Sequence, residues 1–437
     1  MLKHRTFAKT PPMGWNSWDC FGPGITEEQL KENADYMAEH LKEFGWDYVV
    51  CDIQWYEPKA KGYDYNPFAR LEMDKHGRLM PSPKRFPSAA EGKGFKPIAD
   101  YVHSLGLKFG IHIMRGVPRQ AVTRNCKIAG CDARCKDIAH TNSICSWNTD
   151  MYGVKNTPEA QQYYNSIIDL YAQWGVDFIK CDDICITEYS KHDNPYSAAY
   201  EIEMIRKAID NCGRDIVLSL SPGPALRSKA EHLKQNANMW RLTGDFWDNW
   251  SSLYAMFDKC EQWQGVSRPG NWPDCDMLPV GRLCKNGSCN GPQDRMTQFT
   301  HSEQKTMMTL WGIFKSPLMI GGNLPECDKF TLNLLTNKAF LEMHRTSYGA
   351  RQIFRKERNG KGTIIWSANG KECKYIAIFN TDDKKRVFTF DLRSVAIADT
   401  PYTVYDIWKK ETCYDIENFV VAELPAHGVK LIKISSK

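Results

Sequence analysis

DFIKCDDI, residues 177–184, starts as an apolar strand and ends in Lys180, Cys181, Asp182 and Asp183. A charged cluster at the carboxyl end of a buried strand is where α/β barrels and open α/β sheets place their chemistry. Side chains alternate along a strand, so Lys180 and Asp182 share one face and Cys181 points to the other. A lysine beside a carboxylate keeps that carboxylate ionised, as a nucleophile or ligand requires. The same stretch, alone, also fits a solvated βα turn opening an Asp-Asp helix start. The flanking chain has to decide.

Working outward, the spacing predicts a steady alternation. A short strand in PPMGWNSW precedes a helix from about residue 27, with Thr26 as its N-cap and Leu30, Ala34, Met37 and Leu41 on one face. Strand 47–55 carries Asp52, and helix 95–105 and strand 107–114 follow a polar excursion over 56–93. A second excursion, 115–157, holds Cys126, Cys131, Cys135 and Cys145. Then come helix 158–174, the focal strand, helix 196–212, strand 216–221, helix 229–237, strand 239–245, helix 250–263, helix 302–315, a strand in PLMIGG and helix 328–337. Buried strands alternating with helices argue a parallel sheet with helical crossovers. Eight such units with large insertions after the strands predict a (β/α)8 TIM barrel over residues 1–348. Polar residues recur at the strand ends: Trp18 and Asp19, Asp52, His112, Lys180 and Asp182, Ser221, Arg241 and Asp245, Asp276. Around a ring these describe one pocket. From 349 to 437 the texture changes to short β-type runs (GTIIWSA, YIAIFNT, KRVFTFDL, YTVYDIW, GVKLIKI), which predict an antiparallel β-sandwich domain supporting the barrel.

Composition narrows the function. An apolar fraction of 42% and a charged fraction of 25% are those of a globular protein, and a net charge of +5 comes from dispersed Lys and Arg. With no polybasic run, no nucleic-acid or membrane partner is expected. The start of the chain has no apolar h-region and no window spans a bilayer. Many of the 16 cysteines sit singly in apolar segments, as buried thiols do in reducing compartments, so a cytoplasmic protein is expected.

A pocket with two carboxylates, one ionised and one protonated, is what glycoside hydrolysis needs. Asp182 beside Lys180 suits the ionised role. Asp245, flanked by Phe246 and Trp247, is expected to be desolvated and to act as the general acid. A metal-dependent hydrolase is disfavoured, because the pocket positions supply one histidine, His112, and no H-x-H or H-E-x-x-H pattern.

MGWNSW, the Asp52 strand followed by tryptophan, K-x-D at 180–182, WRxxxD at 240–245 and DML at 276–278 occur in an order and spacing that resembles glycoside hydrolase family 27, which includes α-galactosidases, α-N-acetylgalactosaminidases and β-L-arabinopyranosidases. The resemblance covers the whole chain, since those enzymes append a β-sandwich to a barrel. It implies Asp182 as nucleophile, in preference to Asp183, and Asp245 as acid/base of a retaining double displacement, with carboxyls roughly 5–5.5 Å apart. It further implies Lys180 and Arg241 on ring hydroxyls, Asp52 on the O4 side, Asp276 on the O2 side and Trp18 as the floor. No cofactor or catalytic metal is implied. The partner is a small, terminal galacto-configured sugar, and homo-oligomerisation is left open.

Departures from the family pattern bear on the sugar. α-Galactosidases carry two consecutive aspartates after the second strand, the second gripping O6; here the pair is Asp52-Ile53. Isoleucine accepts no hydrogen bond, and burying a hydroxymethyl group unpaired costs about 1–3 kcal/mol. β-L-Arabinopyranose has the ring stereochemistry of α-D-galactose without C6, so Ile53 favours it. His112 stands where the family usually has tyrosine. Ser221-Pro222-Gly223 replaces a bulkier segment, which leaves an α-N-acetylgalactosaminidase as an alternative; a non-catalytic carbohydrate-binding barrel is another, but would require a lost carboxylate. The family disulfide is in doubt, because Ile184 occupies the aligned position and Cys185 follows it. Cys126, Cys131 and Cys135 could pair with Cys185 or with each other, or bind zinc, although C-x4-C-x3-C lacks the tight C-x2-C knuckle.

Overall fold

The computed structural model describes residues 2–395 and 401–436. Eight short strands make one parallel sheet: β1 (Met13–Asn16), β2 (Tyr48–Cys51), β3 (Lys108–Met114), β4 (Phe178–Asp182), β5 (Val217–Leu220), β6 (Met239–Arg241), β7 (Trp272–Asp274) and β8 (Leu318–Ile320). Each of β1 to β6 pairs with the next in sequence, and β8 returns to β1. Beyond β7 a parallel bridge between Leu278 and Ile320 closes the ring, with Leu278 N donating to Met319 O at 2.7 Å. The protein is therefore a TIM-type barrel.

The helices form where capping and periodicity coincide. The helix Glu27–His40 begins in a capping box in which Thr26 Oγ1 accepts from Gln29 N while Gln29 Oε1 accepts from Thr26 N. It buries Leu30, Ala34 and Met37, as their spacing predicts. Helix Pro158–Trp174 starts on Thr157 and stops at Gly175, whose φ of 89° suits a residue without Cβ. The expected helix 328–337 is Lys329–Leu335, and a further helix, Lys338–Thr346, follows it, because Asn337 caps a second start by accepting from Phe340 N. Among the described residues, no helix is long and apolar enough to cross a membrane.

Inside the ring the side chains change character with height. Tyr48, Val50, Phe178, Val217, Met239, Trp272 and Met319 form an apolar plug. Space for it comes from Gly14 and Gly110, where a Cβ would lie 2.3 Å from Tyr48 O and 2.9 Å from Phe178 Cβ. Two residues further along the same strands the inward positions are Asp52, Lys180, Ser219, Arg241 and Asp274. The period of two thus carries the barrel from oil to charge in one step at its carboxyl-terminal mouth.

The C-terminal part is an antiparallel sandwich. One sheet orders β9 (Tyr348–Arg358), β10 (Lys361–Gly370), β11 (Cys373–Asn380), β16 (Val429–Ser436), β13 (Tyr402–Asp406) and β14 (Glu411–Ile416); β12 (Arg386–Asp391) pairs with β15 (Phe419–Leu424) over it. Ile376, Ile378, Phe390, Val404, Val420 and Ile432 lie in the core between them. Strands β9 and β14 carry no apolar run and escape a sequence reading, and β15 (FVVAEL), which does carry one, is not among the expected strands either; β9 alternates exposed and half-buried charged residues along an edge. The helix His301–Phe314 is buried on nearly all sides because the sandwich covers its outer face: Thr306 Oγ1 donates to His427 O at 2.6 Å and Trp408 Nε1 to Thr309 Oγ1 at 2.8 Å.

One buried polar network ties β3 to β4 behind the mouth. Arg115, just past β3, forms ion pairs with Asp183 Oδ2 at 2.9 Å and Glu201 Oε1 at 3.0 Å, and Tyr164 OH donates to Glu201 Oε2 at 2.6 Å. All three charged groups are at most 2% exposed. Removing the one cation would strand two carboxylates, so Arg115→Met is expected to lower the unfolding free energy by about 3–5 kcal/mol. Urea unfolding checks this; a loss below about 1 kcal/mol would show that the network does not hold the strands.

Candidate active site

The mouth of the barrel is a cavity of about 330 Å³, lined from six strand ends and three insertions. Trp18, Asp52, Ile53, Lys180, Asp182, Arg241, Asp245 and Asp276, all singled out in the sequence, line it together. His112 and Ser221 do not; they stand directly behind it.

The charge pattern has two centres. At the first, Lys180 Nζ donates to Asp52 Oδ2 at 2.9 Å and Asn16 Nδ2 donates to the same oxygen at 2.8 Å. Ser17 Oγ accepts from Asp52 N, and Ile53 N donates to Asp52 Oδ1, so the carboxylate is clamped on both sides. Burial alone would raise the Asp52 pKa, but the Lys180 charge, His112 and these hydrogen bonds bring it down to about 2. Asp182 follows the same logic. Burial opposes its charge, and the hydrogen bond and charge of His112 (Nε2 to Oδ2, 3.0 Å), Lys180 and the Asp183 backbone N–H outweigh it, so the carboxyl lies below its ordinary range. The register of β3 and β4 places His112 directly beside Lys180.

Asp183 takes no part in this pocket. The backbone turns left-handed at Asp183 (φ 51°), so the strand does not persist and the side chain swings away to Arg115. This separates the two adjacent aspartates for a stronger reason than strand alternation.

The second centre is Arg241, whose Nη2 lies 3.0 Å from Asp245 Oδ1 and 2.9 Å from Asp276 Oδ2. Asp276, also left-handed (φ 82°), accepts from Phe246 N at 2.8 Å. Behind it Asp274 accepts from Asp276 N; burial and the Asp276 charge push the Asp274 pKa up to about 7. The expected desolvation of Asp245 by its aromatic neighbours is absent. Its side chain is 63% exposed, because Phe246 turns inward against Trp311 and Phe299 while Trp247 packs with Leu283 and the Cys284–Cys289 disulfide.

Apolar faces complete the walls. Trp18 stacks on Tyr65 at 6.0 Å between centroids, and Tyr65 meets Trp147 at 5.7 Å. Ile53 and Ile186, 2% and 7% exposed, add aliphatic surface. Asp19, placed with Trp18 at a strand end in the sequence, also lines the cavity, whereas Tyr65, Trp147, Ile186, Glu188 and Lys191 were not assigned from the sequence. All of the latter but Ile186 lie well inside the polar insertions, where no periodicity tells which side chain folds inward. Cys126, Cys131, Cys135 and Cys185 are free thiols, so neither disulfide pairing holds, and among the described residues no cluster of three His, Cys, Asp or Glu could hold a metal.

The depressed Asp52 pKa gives a signed expectation. Asp52 contributes stability above its unfolded value near 3.9, and that contribution is lost as pH falls through about 2. Between pH 5 and pH 3 the unfolding free energy of the wild type should drop by about 1 kcal/mol more than that of Asp52→Asn. Parallel curves for the two proteins in urea would refute the Lys180–Asp52 coupling.

Comparison with known proteins agrees with this geometry. The family model described as Alpha galactosidase A matches residues 10–155 and 149–345, and the Alpha galactosidase C-terminal beta sandwich domain matches 360–434. A β-L-arabinopyranosidase of family 27 from Geobacillus stearothermophilus is 52% identical, with a TM-score of 0.95 over 99% of this chain and 98% of that one. A variant of that enzyme has been solved in complex with arabinose. A candidate α-N-acetylgalactosaminidase from Bacillus halodurans is 47% identical, with a TM-score of 0.87 over 100% of this chain and 99% of that chain. An α-galactosidase of Oryza sativa is 26% identical across 97% of this chain and 84% of its own length.

Proposed function

The chain belongs to the alpha galactosidase A family, glycoside hydrolase family 27, and is a glycoside hydrolase; from that premise we propose that it is a retaining β-L-arabinopyranosidase. The observation that carries the choice of sugar is Ile53. It is buried in the cavity wall next to Asp52, where its side chain offers no acceptor. A galactoside would bury its O6 hydroxyl against that wall at a cost of about 1–3 kcal/mol, whereas an arabinopyranoside presents only hydrogen there. The 52% identity to an arabinopyranosidase supports the same reading.

In this mechanism Asp182, kept ionised by His112 and Lys180, attacks the anomeric carbon and forms a glycosyl ester. Asp245 protonates the departing glycosidic oxygen, then takes a proton from the water that hydrolyses the ester. Open to solvent in the empty cavity, Asp245 is enclosed once a glycoside fills the space above Arg241, so the substrate supplies the desolvation that the neighbouring aromatics do not. Lys180 and Asp52 bind ring hydroxyls on one side, Arg241 and Asp276 on the other, and Trp18 with Tyr65 and Trp147 covers the apolar C–H surface. A second reading, α-N-acetylgalactosaminidase, rests on Pro222 and Gly223, which line the cavity with little side chain and leave room beside a 2-substituent.

Nitrophenyl β-L-arabinopyranoside should be hydrolysed with a kcat/KM at least tenfold above nitrophenyl α-D-galactoside and far above the α-N-acetylgalactosaminide. A preference for either of the latter overturns the assignment. Ile53→Asp should shift the arabinoside-to-galactoside ratio toward galactoside by about 10–100-fold. Asp182→Asn should lower kcat by about three orders of magnitude or more, with Asp183→Asn far milder in kcat of the folded fraction, and NMR of the first product should show the β anomer.

A further inference from the structure

At the opposite end of the barrel lies a second cavity of about 360 Å³, bounded by the amino-terminal ends of β7 and β8 and by the start of β9. Its charged lining residues are Lys9, Arg268, Lys315 and Arg345, and no carboxylate lines it. Among the described residues none of these four cations forms an ion pair. Glu231, the carboxylate that feels Arg268, lies 2.7 Å from Lys234 Nζ instead.

Lys315 is the centre of this cluster. It is 8% exposed, and its Nζ donates to the backbone oxygens of Ser347 (2.6 Å) and Arg345 (3.1 Å), 5.7 Å from the Trp272 ring centroid. Carbonyl dipoles and a π face stabilise an ammonium without neutralising it. Burial, with no opposing anion, lowers its pKa to about 8. Beside it Ser347 Oγ, in a residue 2% exposed, has no hydrogen-bond partner. Buried hydroxyls are rarely left so. Arg345 uses Nη1 on Phe44 O and Arg268 uses Nε on Asn271 Oδ1, which leaves donors of both guanidinium groups available to a ligand.

We propose that this cavity is a phosphate-binding site, taking inorganic phosphate or the phosphoryl group of a small monoester. Such a group accepts the third Lys315 proton and the Ser347 hydroxyl proton, and presents the oxygen pairs that guanidinium forks match. Because Trp272 both floors the barrel and roofs this cavity, while Ser347 leads into β9, a bound anion joins barrel and sandwich. Its effect falls on stability, away from the sugar cavity.

Calorimetric titration of the full chain with sodium phosphate, at constant ionic strength in chloride, should give one saturable site with Kd around about 1 mM. At 10 mM the apparent Tm should rise by about 1–3 °C relative to chloride. Arg268→Ala/Arg345→Ala, which alters only partly or fully exposed side chains, should weaken binding about tenfold or more and leave aryl glycoside turnover unchanged; Lys315→Met should abolish binding where it folds. Glycerol 3-phosphate, which carries no pyranose ring, identifies a monoester occupant if it binds as tightly as phosphate or tighter, and phosphate binding alone identifies the free anion. The assignment is overturned by absence of saturable binding, by undiminished affinity in the double variant, or by phosphate competing with the glycoside.

Discussion

The catalytic mouth depends on a single buried ammonium. Lys180 projects from the middle of the barrel wall with Asp52 2.9 Å away and Asp182 two residues further along its own strand. Burial works against every charge here, and only mutual compensation keeps the groups ionised: the carboxylates raise the lysine, and the lysine lowers the carboxylates. The compensation is fixed by register. His112, Lys180 and Ser219 face each other across β3, β4 and β5, so a slip of one residue in β4 would present Ile179 and Cys181 to the cavity and bury the lysine among helices.

Six carboxylates line the cavity against three cations, Lys180, Lys191 and Arg241. Lys180 serves Asp52 and Asp182, which lie below their ordinary range. Arg241 is shared between Asp245 and Asp276; burial pushes Asp276, Asp274 and Asp19 up, and the Asp276 charge adds to the rise at the last two. The cavity is divided in this way between a side whose carboxylates are held ionised and a side whose buried carboxyls are pushed up.

Much of this was legible in the chain because it rests on short-range rules. The alternation of strands and helices, the cap at Thr26 and the face shared by Lys180 and Asp182 all follow from periods of 2 and 3.6. The parts that were not legible depend on long-range packing. Whether Phe246 and Trp247 desolvate Asp245 turns on where Trp311 and the Cys284–Cys289 loop sit, and neither is encoded near residue 245. Tyr65 and Trp147 belong to insertions whose polar composition says only that they are loops, while β9 and β14 are edge strands whose charged residues conceal them.

The charged cluster and Ile53 are mechanically separate. Each group paired with Lys180 or Arg241 shares its cation with another, so altering one changes the ionisation of its partners. Ile53 is different: its only polar tie to the cluster is its backbone N–H, which donates to Asp52 Oδ1 whatever the side chain. Its side chain therefore exchanges for an acceptor without breaking the clamp on Asp52. The penalty for burying one hydroxymethyl group unpaired, about 1–3 kcal/mol, is small beside the charge compensation around it.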